Sequence, residues 1–330
     1  MENLKIGPLH VTFHRTVRVK EGQISELPPS LGTMKYYLVK EFKATCPESW
    51  EENAIFIPLH EKEAMWLDFH NNGVPVAVLV GAGGINALNG QKLGLTLETE
   101  NYLAVPPQPW LDGWKGEDGT VYQFVATEYK KGEGNTVAEQ LIKKESKTGG
   151  LGIAVFEAKN PRELEKQARP NEETYLCGGQ SFGFSSVAHL CSAAGPSDGY
   201  EETCTDFDAE YDDEPCVKSL SATRGRKSKA AEMGVGKGGK IFQKVYPDPY
   251  GGPDTWKGEP SAAIAVYLVN AEQFTEITGM PMPPLPKSAQ DYIGAWYGLK
   301  DEDHGDVSGS EKFTGLKSVF NQVEPAAAKS

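Results

Sequence analysis

The chain lacks any pair of cysteines at C-x-x-C spacing, any H-E-x-x-H string and any apolar run long enough to cross a bilayer. These gaps exclude, in turn, the tight ligand pair of most structural zinc sites, a zincin-type metalloprotease helix, and a membrane-spanning helix. Positive charge is also scarce. Lys and Arg number 33 against 46 Asp and Glu, a formal net charge of −13 at pH 7, so no general basic field is offered to nucleic acid. The N-terminus, MENLKIGPLHVTFHR, lacks the basic-then-apolar order of a secretory leader. From the residues alone a soluble chain in the cytoplasm is expected. Histidine is rare as well, with six scattered positions, and each is expected to be structural or solvated.

Glycine (36) and proline (22), by contrast, are abundant, which favours a turn-rich β architecture over a helical one. Leu9, Val11, Phe13, Val17 and Val19 alternate with His10, Thr12, His14, Thr16 and Arg18, the period of a half-buried strand. Further strands are expected at 35–39, 53–59, 74–81, 101–105, 120–129, 151–158, 240–246 and 261–270, each bounded by Gly, Pro, Asn or Asp. Helices are few and short. Thr136 and Glu139 form a capping box ahead of 136–146, and Asn270 with Gly279 brackets 270–279. A third helix is expected at 288–298. The pattern predicts a mainly β fold, a β-sandwich or jelly-roll-like body with a few short helices. One β-rich domain over 1–300 is expected, interrupted at 170–235 by a long irregular insertion rich in cysteine. Residues 301–330 read as a polar tail, mobile apart from docking by Phe313, Leu316 and Phe320.

Several motifs resemble chemistry without completing it. GVGKGGKI (234–241) satisfies both G-x-G-x-x-G and G-x-x-x-x-G-K, yet a strand rather than a helix follows and Ile241 stands where a Ser or Thr would hold magnesium. It therefore reads as a flexible loop, and GAGG (81–84) as a hairpin turn. Asp206, Asp208 and Glu210 open a calcium-like loop, but Tyr211 and Val217 occupy its required Gly and Glu positions. That leaves weak calcium binding against the commoner solvated acidic face; no cofactor is expected. Trp110, Asp112 and Trp114 in PPQPWLDGW suggest aromatics beside a carboxylate, as in sugar-binding surfaces, although a loop that packs its own tryptophans inward is the commoner outcome. An enzyme using His60, Glu61 or Asp112 is the least supported reading, since no recognisable catalytic constellation includes them.

The insertion carries the strongest signal. Nine carboxylates lie in 198–214, while 224–240 carries Arg224, Arg226, Lys227, Lys229, Lys237 and Lys240 against a single Glu. Such opposed blocks pair within a molecule or between neighbours, or else stay solvated. Cys177, Cys191, Cys204 and Cys216 fall within forty residues of this polar chain. Exposed thiols are reactive, so disulfide use is the leading reading, and it requires an oxidising compartment at some stage. Four cysteines allow three internal pairings, and Cys46 makes the total odd, leaving room for an intermolecular bond.

Long strings of the chain also resemble a known group. FHRTVRV, LPPSLG, FIPLHEKEAMWLDF, YLAVPPQPWLDGW, VYQFVAT, TVAEQL, GIAVFE, MGVGKGGKIFQKVYPDPYG and EITGMPMPP together resemble a bacterial family of soluble proteins, some of which carry an "integral membrane protein" label. The likeness spans roughly residues 9–160 and 233–300 and brings no catalytic residues with it. Residues of about 170–232 depart from that pattern. A body of this kind with a Cys-rich addition resembles the octin family, fungal proteins that form large crystals in vacuoles and serve gravity sensing, thought to derive from such bacterial proteins by horizontal transfer. The resemblance implies a structural, self-assembling protein in a vacuole lumen, its partners copies of itself and its cysteines lattice cross-links. A carbohydrate- or small-ligand-binding module is the alternative.

Overall fold

Alternating apolar side chains build the body strand by strand. The computed structural model describes residues 1–117, 119–129, 134–142, 149–168, 233–284 and 305–319. All of them belong to one unit, Met1–Pro170 with Gly225–Ser330. Its first strands are Asn3–Ile6 (β1), Leu9–Thr16 (β2), Ile24–Ser25 (β3), Ser30–Thr33 (β4), Tyr37–Leu38 (β5), Ile55–Pro58 (β6), Ala64–Asn71 (β7) and Val76–Ala82 (β8). Then follow Ile85–Asn86 (β9), Leu103–Val105 (β10), Trp110–Leu111 (β11), Gly113–Lys115 (β12), Thr120–Glu128 (β13), Leu151–Glu157 (β14), Met233–Phe242 (β15) and Ala262–Val269 (β16). Three short helices accompany them: Val137–Ile142 (α1), Pro161–Ala168 (α2) and Ala271–Thr278 (α3). The fold is mainly β, as the alternation predicts.

The strands form one hydrogen-bonded network rather than two separate sheets. Its main path runs β1-β2-β7-β13-β15-β16-β14-β8-β10, antiparallel at every step. Short strands branch from this path, and two of them, β3 on β15 and β6 on β16, pair in parallel. Nine strands at about 4.8 Å spacing span roughly 38 Å if flat. Leu9, Val11 and Phe13 near one end nonetheless share an apolar cluster with Val76, Val78 and Leu103 at the other, so the sheet curls over a common core. Each large apolar side chain buried there contributes about 1.5–3 kcal/mol.

Local chemistry sets the turns and helix ends. Gly83 and Gly84, with φ of 58° and 82°, join β8 to β9 through the Ala82–Ile85 pair, the two-residue hairpin expected of GAGG. Thr136 Oγ1 accepts from Glu139 N at 3.1 Å and Glu139 Oε2 accepts from Thr136 N at 3.0 Å, completing the capping box on α1. Asn270 Oδ1 accepts from Gln273 N at 2.9 Å, and Gly279 closes α3 in the left-handed region. The sequence at 288–298 lies outside the described residues.

Two expectations are overturned. GVGKGGKI is neither a phosphate loop nor a flexible one: it forms most of β15, buried and paired with β13. The glycines are there because other chain crosses closely. A Cβ on Gly238 would stand 2.6 Å from Val125 Cγ2, and one on Gly239 would stand 2.7 Å from the Lys20 carbonyl oxygen. Residues 305–319, moreover, are part of the body rather than a polar tail, with the expected docking of Phe313 and Leu316 borne out. Phe313 is fully buried with its ring centroid 5.3 Å from that of Trp114, and Val307 and Val319 are buried too. Lys115 Nζ meets Asp306 Oδ2 at 2.8 Å, and Lys237 Nζ donates to the Thr314 and Leu316 carbonyls, each at 3.0 Å. Phe320 lies outside the described residues.

Candidate functional site

Spacing alone would put Trp110, Asp112 and Trp114 on one face of a strand, but the chain does not stay on one neighbour. Trp110 and Leu111 pair with Asp68 and Leu67 of β7, whereas Gly113, Trp114 and Lys115 pair with Gln123, Tyr122 and Val121 of β13. The crossing is tight: a Cβ on Gly113 would lie 1.9 Å from the Tyr122 carbonyl oxygen. It turns Trp114 inward, where its side chain is fully buried against Phe124 and Phe313 and its Nε1 donates to the Gly236 carbonyl at 3.3 Å. Trp114 therefore has no surface to offer a ligand. Trp110 stays half-buried on the outer face.

Asp112 sits beneath it. The residue is 1% exposed, and its Oδ2 accepts from Trp110 Nε1 at 3.1 Å, while Oδ1 has no partner. Burial pushes its carboxyl up to about 8, with the indole N–H pulling the other way. The surrounding backbone is held by two glutamines. Gln243 Oε1 accepts from Asp112 N at 3.0 Å and its Nε2 donates to Trp110 O at 3.1 Å; Gln108 Nε2 donates to the same carbonyl at 2.8 Å.

Register extends this point into a surface. Opposite residues on paired strands share a face. Thr12, Asp68 and Trp110 lie in one row across β2, β7 and β11; His14 and Trp66 lie in the next, and His10 and His70 in the row on the other side. The Asp112 carbonyl already accepts from Phe124 N of β13 at 3.0 Å, so the chain leaves β7 at this residue. The opposite face of the same strands, with Val11, Phe13, Leu67, Phe69 and Leu111, belongs to the core. The His14 and Trp66 rings are stacked, centroids 4.1 Å apart and 8° from parallel, and His14 Nδ1 lies 2.8 Å from Ser30 Oγ. Burial lowers His14 to about 4, so the imidazole on that stack is neutral at pH 7. Asp68 is raised by burial, opposed by His70 and by the Phe69 amide. Trp66 Nε1 is a second buried atom without a partner. Each such orphan costs about 1–3 kcal/mol.

Other polar clusters are paired within the body. The Tyr102 hydroxyl donates to Asp248, Trp256 Nε1 donates to Asp248 Oδ2 at 3.0 Å, and Tyr250 N donates to Asp248 Oδ1 at 2.7 Å. That carboxylate clamps the chain ahead of β16 onto a second apolar cluster; burial, with the Asp248 charge beside it, pushes the Tyr250 hydroxyl up to about 12. Arg15 and Glu63 face each other at 2.9 Å in the interior, with Glu63 Oε2 accepting from His60 N at 2.8 Å. The His60 ring donates from Nε2 to the Pro283 carbonyl at 2.9 Å, and Glu61 is exposed. His60 and Glu61 thus flank a turn between β6 and β7. Among the described residues, no group of three or more His, Cys, Asp or Glu is placed to hold a metal ion. No helix among them is long and apolar enough to cross a membrane.

Of the cysteines, only Cys46 is among the described residues. It is a free thiol buried in an apolar cluster with Val39, Phe56, Phe274 and Ile277, and burial pushes it up to about 11. That placement corrects its expected role as a spare cross-linking thiol: a buried, protonated sulfur is a poor nucleophile. Cys177, Cys191, Cys204 and Cys216, and the calcium candidates Asp206, Asp208 and Glu210, lie outside the described residues. So does a G-x-S-x-G string, Gly179 to Gly183. Set against known protein families, curated proteins and solved structures, the chain matches none.

Proposed function

We propose that this chain is a structural protein that assembles with copies of itself into dense ordered lattices, cross-linked through the cysteines of its insertion. The observation that carries the reading is the separation of its thiols. Cys46 is buried and inert in the β body, and the remaining four cysteines all fall between residues 177 and 216. Among the described residues, β14 is paired by β8 on one side and β16 on the other, and β15 is paired along its length by β13 and meets β16 at Met233. The likeness to the octin family supports the same reading and extends it to a sedimenting body inside a vacuole.

The charge balance favours assembly in mild acid. A net charge of −13 at pH 7 makes copies repel, and the sequence pI of about 5.1 sets where that repulsion vanishes. The test is electrophoresis of native material with and without reductant, repeated with Cys177, Cys191, Cys204 and Cys216 changed to Ser in turn. Discrete multimers that collapse on reduction, and that lose a rung with a particular cysteine, are the expected result. A single monomer band in every lane overturns the cross-linking.

A further inference from the structure

We propose that the outer face of β2, β7 and β11 is a saccharide-binding surface, with Trp110 and Trp66 as stacking platforms and Asp68 as a hydrogen-bond acceptor for ring hydroxyls. The inference is independent of the assembly reading. It rests first on the register. Trp110 lies directly across from Asp68, Thr12 flanks Asp68 on the other side, and Trp66 is two residues along the same strand on the same face. The two indoles are thus diagonal neighbours about the carboxylate. Both are half-buried, whereas Trp114 and Trp256 are in the interior.

Each indole is also held in place. Stacked His14 holds the Trp66 ring from one side, and Ser30 holds His14. Asp112 holds Trp110 through its Nε1. Fixing an exposed ring before a ligand arrives is what a stacking surface requires, because the ordering cost is then already met. The apolar C–H face of a pyranose packs on such rings, while its hydroxyls need small polar groups of mixed type at the edges, here Asp68, Thr12, His10 and His70.

The third observation is the pair of orphans. Trp66 Nε1 and Asp112 Oδ1 are both buried without partners, on residues that lie two positions from Asp68 and from Trp110 respectively. One is a donor and the other a carboxyl oxygen. A hydroxyl can accept from an indole N–H and can hydrogen-bond a carboxyl in either protonation state, which an apolar ligand cannot do.

The test is isothermal titration calorimetry of the full chain with cellotetraose, chitotetraose and maltotetraose, each to about 10 mM so that millimolar binding registers. At least one is expected to bind saturably. Trp110→Ala should weaken it about tenfold or more, Trp110→Phe should restore most of it, and Asp68→Asn should weaken it about tenfold. Asp68→Asn is the second variant should Trp110→Ala fail to fold. No saturable heat with any of the three, or affinity unchanged in both Trp110→Ala and Asp68→Asn, overturns the proposal. Loss of self-association in Trp110→Ala without saccharide binding to the parent chain also overturns it, and marks the face as a contact between copies.

Discussion

Replacing Asp112 by Asn should make the protein more resistant to rising pH, by an amount the structure lets one work out. Burial holds the folded carboxyl at about 8, while an unfolded aspartate titrates near 3.9. Between those two values the folded state keeps a proton that the unfolded state has released, so stability falls as pH rises. The slope is about 1.4 kcal/mol per pH unit. The stabilisation is fully present below about pH 4 and lost above about pH 8. At pH 7 the linkage therefore costs about 4 kcal/mol, which Asn does not incur. The amide keeps an oxygen for Trp110 Nε1 but brings N–H groups that need partners, returning about 1–3 kcal/mol of that gain. Urea unfolding of parent and Asp112→Asn at pH 5, 6, 7 and 8 reads the difference. Glu63 and Asp68, also raised by burial, tilt both proteins in the same direction and cancel in the comparison. The stability gap should widen in favour of Asn by about 4 kcal/mol from pH 5 to pH 8. A gap constant to within about 0.5 kcal/mol would refute the buried, protonated carboxyl.

Gly113→Ala, whose Cβ would lie 1.9 Å from the Tyr122 carbonyl oxygen, should cost about 3 kcal/mol or more in chemical denaturation. Gly258→Ala, with nothing within 4 Å of its Cβ, should stay within about 0.5 kcal/mol of the parent. Phe313→Ala should destabilise by about 3–5 kcal/mol and speed tryptic cleavage at Lys312 and Lys317, since the ring anchors the C-terminal segment against Trp114. Arg15→Met leaves the Glu63 carboxylate buried without its cation and should cost about 3–5 kcal/mol at pH 7; Arg15→Met with Glu63→Gln should recover part of that in the same unfolding assay.

Strands with clean alternation or long apolar runs, such as β8, β13, β14 and β16, are legible because one side-chain period encodes one buried face. The capping box and the Asn270 cap are legible for a similar reason, since each is a local hydrogen bond written in adjacent residues. β7 was available too: Met65, Leu67 and Phe69 face the core while Trp66, Asp68 and His70 face out. β15 was hidden for a physical reason. Glycine disfavours strands in isolation and is used here because neighbouring chain passes too close for a side chain. In residues 305–319 the apolar Phe313 and Leu316 are legible as docking points, but Val307 and Val319 are irregularly spaced anchors that make no period to read. The inward turn of Trp114 depends on a switch of strand partner at Gly113, a non-local event that local spacing does not announce.

Sedimentation velocity of the full chain at pH 5 under oxidising conditions tests the central claim most directly. Fast-sedimenting assemblies are expected that return to a 35.9 kDa monomer on adding reductant and that fail to form when Cys177, Cys191, Cys204 and Cys216 are all Ser. A monomer under every condition, or assemblies indifferent to both reductant and the serine replacements, would contradict it.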